Sequence, residues 1–251
     1  MDIDVHESLN YGTALMWFLA YAAVLWKLQT DRSALGMSLQ TLFALVFTEI
    51  NNVILQVMLS HKYKFPLGAA FYVCDVATTA LSTFCFFYVL KHFYATYEST
   101  KDTFGLKFFR AVFGAQVARS SYWLFLYLVA FMLAVPLFLF RRSPLPGAFS
   151  IYECFDDALL AVALLPQLYM FYNKRPRKVS GILGNFIIFL LMARLCALTY
   201  WLTYPLFKRG AIPSRGLHIA TESLNILILI DFLYYYLVAK AKGMADISLP
   251  I

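Results

Sequence analysis

Arg194 stands in the middle of an apolar run, "FLLMARLCALTYW". A guanidinium at that depth is costly in hydrocarbon, so it faces a polar cavity, pairs with a carboxylate or grips an anion. Carboxylates recur in the same setting. Glu49, with the amides of Asn51 and Asn52, interrupts "LFALVFTEINNVILQ"; Asp75 lies in "FYVCDVATT", Glu222 in "IATESLNILIL" and Asp231 in "LILIDFLYYY". Glu153, Asp156 and Asp157 open a further run, "IYECFDDALL", where a place at the membrane interface is the plainer reading. One cation among several acids predicts an ion pair first, between Arg194 and a residue such as Glu49, Asp75 or Glu222. The sharper chemistry is capture of a ligand's anionic group by the arginine fork. The sequence holds no nucleophile–base set, phosphate-cradling glycine loop or metal-ligand spacing, and its four histidines are scattered. The four cysteines lie in or beside apolar runs and read as small buried hydrophobes. Nothing here points to an enzyme, a cofactor or a metal.

These residues need long helices to position them. Apolar residues make up 61% of the 251 and charged residues 14%, too little charge to cover a soluble domain. Runs of about 20 apolar residues recur, each long enough to cross about 30 Å of hydrocarbon. The expected fold is an all-α membrane protein with seven transmembrane helices at roughly 10–29, 36–59, 66–92, 119–140, 148–172, 180–204 and 214–239. The acidic start "MDIDVHESLNYG" lacks the basic region of a cleaved signal peptide, so the first span is expected to stay. The net charge of +7 falls in short loops, which reads as topology setting rather than nucleic-acid binding. One side collects Lys27, Arg32, Lys91, Lys101, Lys107, Arg110, Lys174, Arg175, Arg177, Lys178, Lys240 and Lys242. The other collects Lys62, Lys64, Arg141, Arg142, Lys208, Arg209 and Arg215. The first side is the more basic and is expected to be cytosolic, with the short tail 240–251, leaving the N-terminus lumenal.

Within the fifth span, "LLPQLYM" pairs Pro166 with Gln167. A proline in a membrane helix frees a carbonyl and bends the helix, and the amide beside it supplies donors and an acceptor. The pair predicts a bent helix that either faces a protein-lined interior or packs as a kink. The stretches 24–46 and 164–190 share one plan: the end of a span, a basic loop, a Ser and a new apolar span. In that comparison Trp26 and Lys27 fall opposite Pro166 and Gln167. Two three-helix repeats keep one orientation only if an odd helix joins them, giving a 3+1+3 arrangement of parallel triple-helix repeats. Repeat one covers about 10–92, the connecting helix about 119–140 and repeat two about 148–239.

The stretches "LFALVFT" (42–48), "FYATYESTKDTF" (93–104), "ALLPQLYM" (163–170), "ARLCALTYW" (193–201), "DFLYYYLVAK" (231–240) and "SLP" (248–250) follow one family's order across nearly the whole chain. Together they resemble the ER lumen protein-retaining receptors, the KDEL/HDEL receptors of the PQ-loop and sugar-transporter-like superfamily. The main difference in length lies around 112–147. The resemblance implies a sorting receptor in ER and Golgi membranes. It would capture C-terminal Lys/His-Asp-Glu-Leu tails of lumenal proteins in a lumenal cavity, and a coat complex would read its cytosolic lysines. Membrane lipids surround such a protein. Arg194 and Trp201 fall on a family arginine and tryptophan that line the ligand cavity, with Asn52 and Glu49 as further ligand-binding candidates. Asp231 falls on an aspartate linked to transport. Pro166, Gln167, Asp156 and Asp157 are candidates for gating, and Lys240 and Lys242 lie near the coat-binding lysines.

The departures from the family pattern are concentrated in charge. Family arginines become Asn10, Ile50 and Tyr204, a histidine becomes Trp17 and a glutamate becomes Leu160. A cavity with one cation suits an acidic tail poorly, so the expected ligand is less acidic than the usual tail, or more weakly bound. The alternatives are a transporter of a small solute, and a family member that has lost ligand binding and serves as a scaffold.

Overall fold

The computed structural model describes residues 5–63, 69–116, 121–140, 147–173, 178–207 and 215–249. Lys64, Arg141, Arg142, Lys174, Arg175, Arg177, Lys208, Arg209 and Pro250 lie outside the described residues. Long apolar runs become helices because only internal hydrogen bonding satisfies the backbone where no water is at hand. In order these are α1 (Val5–Asp31), α2 (Leu39–Tyr63), α3 (Ala69–Tyr88), α4 (Leu106–Phe113), α5 (Leu124–Phe140), α6 (Gly147–Val162), α7 (Leu165–Asn173), α8 (Gly181–Phe207) and α9 (Arg215–Ala241). Beyond Tyr88 the third helix widens into a π turn, Val89–Phe93, and closes in a 3₁₀ turn, Tyr94–Thr96.

Among the described residues, six segments are long and apolar enough to cross a membrane: Glu7–Asp31, Leu39–Met58, Tyr72–Thr96, Ser150–Asn173, Gly181–Leu206 and Arg215–Ala241. The chain is thus an all-α membrane protein. The expected span at 119–140 corresponds to α5, whose 17 residues with an internal Pro136 rise only about 26 Å. The expected fifth span is two helices. The chain turns at Ala163 and Leu164, and Pro166 sits in the first turn of α7, where its missing N–H costs nothing. Asn225 of α9 covers the break, its amide donating to Leu160 O at 3.0 Å and Ala161 O at 3.3 Å.

Packing is closest between α1 and α8 and between α5 and α6. Tyr21, Val24 and Leu28 of α1, Leu42 and Leu45 of α2, and Phe186, Ile187 and Leu190 of α8 form the core, all essentially inaccessible. The expected tail 240–251 is tied down: Asp246–Ser248 pairs antiparallel with Lys178–Ser180, and Ile247 and Leu249 are buried.

Gly105 precedes α4 at φ +84°, and a Cβ there would meet Phe125 Cβ of α5 at 2.3 Å. Gly105→Ala is therefore expected to cost about 2–5 kcal/mol, combining left-handed backbone strain with overpacking. A lowered midpoint of thermal unfolding in detergent is the readout, and an unchanged midpoint would contradict this packing.

Candidate functional site

The middle of α8 carries Arg194, the fourteenth of its 27 residues. At 4% exposure its guanidinium needs a partner, and α9 supplies one: Nη1 lies 3.1 Å from Glu222 Oε1. Its Cζ also sits 4.7 Å from the ring centroid of Trp17 in α1, a cation–π contact. Of the three carboxylates expected as partners, Glu222 is the one engaged.

Arg194 borders a cavity of about 460 Å³ among α1, α2, α3, α6 and α8. Glu49, Asn52, Asp156, Asp157 and Trp201 line it, so six of the candidate residues meet in one place. Asn10, Trp17 and Leu160, three of the family departures, line it as well. Ile50 does not; it is 39% exposed, and its neighbour Glu49 turns inward. Tyr204 packs beside the cavity against Trp201, with ring centroids 6.2 Å apart. The lining residues come from the first half of α1 and α3 and from the middle to the later part of α2 and α8, which places the cavity in the half of the bundle that holds the start of α1.

Carboxylates and amides knit the walls. Asn51 Nδ2 donates to Asp156 Oδ1 at 2.9 Å, and Tyr152 Oη donates to Asn51 Oδ1. Asn52 and Gln56 both donate to Asp75 Oδ2. Asp156 is 7% exposed and lies within the cavity wall. At the rim, His218 stacks on Trp201 with centroids 4.4 Å apart, and its Nδ1 lies 3.4 Å from Asp157 Oδ2. Glu153, Asp157 and His218 bring one ligand atom each within 4.8 Å of one another, a grouping that could hold a metal ion. Spacing in sequence hid it, because His218 comes from a different helix. Gln56, Thr78 and Tyr200 also line the cavity unanticipated; the i, i+4 relation of Asn52 and Gln56 was the available signal for the first of them.

Pro166 and Gln167, expected beside a protein-lined interior and grouped with the gating residues, are not among the cavity's lining residues. They sit in a separate buried cluster that joins the two halves of the chain. Gln167 Oε1 accepts from Ser38 N at 2.8 Å, Gln167 Nε2 donates to Gly36 O at 2.6 Å, and Gln167 N donates to Thr41 Oγ1 at 3.0 Å. Asp102, fully buried beside them, accepts from Ser38 Oγ at 2.9 Å and Tyr97 Oη at 2.6 Å. Burial pushes the Asp102 carboxyl above its usual range and the Tyr97 phenol likewise. The kink reading of the pair holds, since both polar ends of the amide are spent on the start of α2.

Asp231 is exposed and accepts from Tyr172 Oη. Lys240 lies 5.5 Å over the Tyr236 ring, and Lys242 is exposed in the turn after α9. None of these three reaches the cavity.

Residues 33–204, more than half of the chain, match the family described as ER lumen protein retaining receptor. No curated protein matches the chain.

Proposed function

The chain belongs to the ER lumen protein retaining receptor family, and on that premise we propose that it is an ER–Golgi sorting receptor that binds the C-terminal tails of lumenal proteins and returns them to the ER. The observation that carries this reading is the cavity itself. Arg194 and Trp201, the two residues that fall on the family's ligand-cavity positions, line one polar space large enough for a few side chains. Arg194, Trp201, Asn52 and Glu49 would contact the tail, while Asp156 and Asp157 would respond to it. The remaining candidates would act at a distance: Asp231, Pro166 and Gln167 in the conformational change, and Lys240 and Lys242 with a coat complex.

A seven-span, 3+1+3 arrangement goes with this function, with the N-terminus lumenal and residues 240–251 cytosolic. Two features support it. Ser38 caps α2 by accepting from Thr41 N at 3.2 Å, and Ser180 caps α8 by accepting from Leu183 N at 3.4 Å, the same N-cap-to-N3 bond in each repeat. The helix pairings also correspond: α1 with α8 and α2 with α6, α1 with α3 and α6 with α9, α2 with α3 and α8 with α9. With this orientation the cavity opens to the lumen, where the tails are.

Cells depleted of the protein are expected to secrete those lumenal proteins whose tails it recognises. Re-expression should restore retention, and a Lys240→Ala, Lys242→Ala double variant that folds should not. An unchanged secretome on depletion overturns the receptor reading. A second reading, transport of a small solute, draws on the acidic lining of the cavity and would show as flux in proteoliposomes that Arg194→Ala abolishes.

A further inference from the structure

The charge of the cavity is opposite to that needed for an acidic tail. Four carboxylates line it, those of Glu49, Asp75, Asp156 and Asp157, against the single guanidinium of Arg194. Glu49, Asp75 and Asp156 are each no more than 9% exposed. Arg194 adds little positive potential, because Glu222 at 3.1 Å neutralises it and the Trp17 ring covers it.

The hydrogen-bond inventory has the same bias. The amides of Asn51, Asn52 and Gln56 each already donate to Asp156 or Asp75, and Gln56 donates to Asn52 as well. Among the described residues, Gln56 Oε1 is a buried acceptor without a partner, and Thr78 Oγ1, a hydroxyl that can accept as well as donate, is also unpartnered where its side chain lines the cavity at 3% exposure. A buried polar atom without a partner is costly, and a space edged by such acceptors and by several carboxylates favours a donor of positive charge. Tyr200 and Trp201 add aromatic rings, whose faces attract cations and not anions.

We propose that this cavity binds the cationic group, an ammonium or a guanidinium, of an organic ligand, with Asp75 and Asp156 as its principal counter-charges and the Trp201 side of the cavity as its aromatic wall. The assignment of that cation to the basic side chains of a peptide tail rests on the receptor reading above; a free organic amine would carry the same chemistry.

Three probes separate these cases when titrated calorimetrically against the purified full-length protein. They are a peptide ending in Lys-Asp-Glu-Leu, a charge-inverted peptide ending in Lys-Lys-Lys-Leu, and cadaverine, with 1,5-pentanediol as its uncharged control. Binding of the Lys-Lys-Lys-Leu peptide over the Lys-Asp-Glu-Leu peptide by about tenfold or more supports the proposal together with the receptor reading. Binding of cadaverine without either peptide supports the cation and removes the receptor reading. Preference for the Lys-Asp-Glu-Leu peptide overturns the proposal and keeps the receptor reading, and no binding of any cation also overturns it. Asp75→Asn and Asp156→Asn, near-isosteric, should each weaken the favoured cation about tenfold. If those variants do not fold, the contrast between cadaverine and pentanediol on the unaltered protein still decides the matter: equal responses overturn the proposal.

Discussion

Replacing Arg194 by alanine is expected to destabilise the protein by about 3–5 kcal/mol, the cost of removing one partner from a buried ion pair. The guanidinium is 4% exposed and holds Glu222, whose side chain is 13% exposed. Its loss would leave Glu222 charged and uncompensated next to Asp157, another acid of the same small polar space. The Trp17 ring would lose its cation as well. A large fall in the midpoint of thermal unfolding in detergent is therefore expected. The double variant Arg194→Ala, Glu222→Gln should recover much of it, since it removes the orphaned charge too. A single variant as stable as the unaltered protein, or a double variant no better than the single, would show that the pair does not hold α8 to α9. This readout is separate from ligand binding, which distinguishes a residue that holds the bundle from one that only grips a ligand.

Gln167→Leu is expected to cost about 2–6 kcal/mol, because it orphans two buried backbone groups at about 1–3 kcal/mol each. Ser38 N–H loses its acceptor at 2.8 Å and Gly36 C=O its donor at 2.6 Å. Leucine fills a similar volume, so a cavity contributes little. Faster amide exchange at Ser38, together with a lowered unfolding midpoint, is the expected signature. An unfolding free energy within about 1 kcal/mol of the parent would mean that other groups can satisfy the start of α2 without this amide.

Helix positions were legible in the sequence to within a few residues because the length of an apolar run is a local property set by hydrocarbon thickness. The third span is an example: expected at 66–92, it appears as Tyr72–Thr96, extended by turns whose π and 3₁₀ geometry no apolar pattern encodes. The fifth span was less legible. A proline announces a bend, but the complete break at Ala163 and Leu164 depends on Asn225, 59 residues beyond Pro166, arriving to cover Leu160 O and Ala161 O. Likewise the sequence reads Asp156 first as an interfacial residue, and only the packing of α2 brings Asn51 to it.

By itself the sequence determined that this chain crosses a membrane as helices, that Arg194 lies in the middle of one of them, and that it needs a polar or anionic partner, with a carboxylate as the first expectation. These follow from the cost of burying charge and unpaired backbone, which each segment incurs alone. Only the tertiary structure decided which carboxylate answers. That choice depends on how each helix is rotated about its axis, and one residue turns a side chain by about 100°. So Glu49 enters the cavity while Ile50 leaves it, Glu222 rather than Asp75 meets the guanidinium, and Gln167 faces the start of α2 instead of the cavity. Rotation is set by packing between helices far apart in sequence, and from it comes the acidic character of the cavity, which no single span encodes.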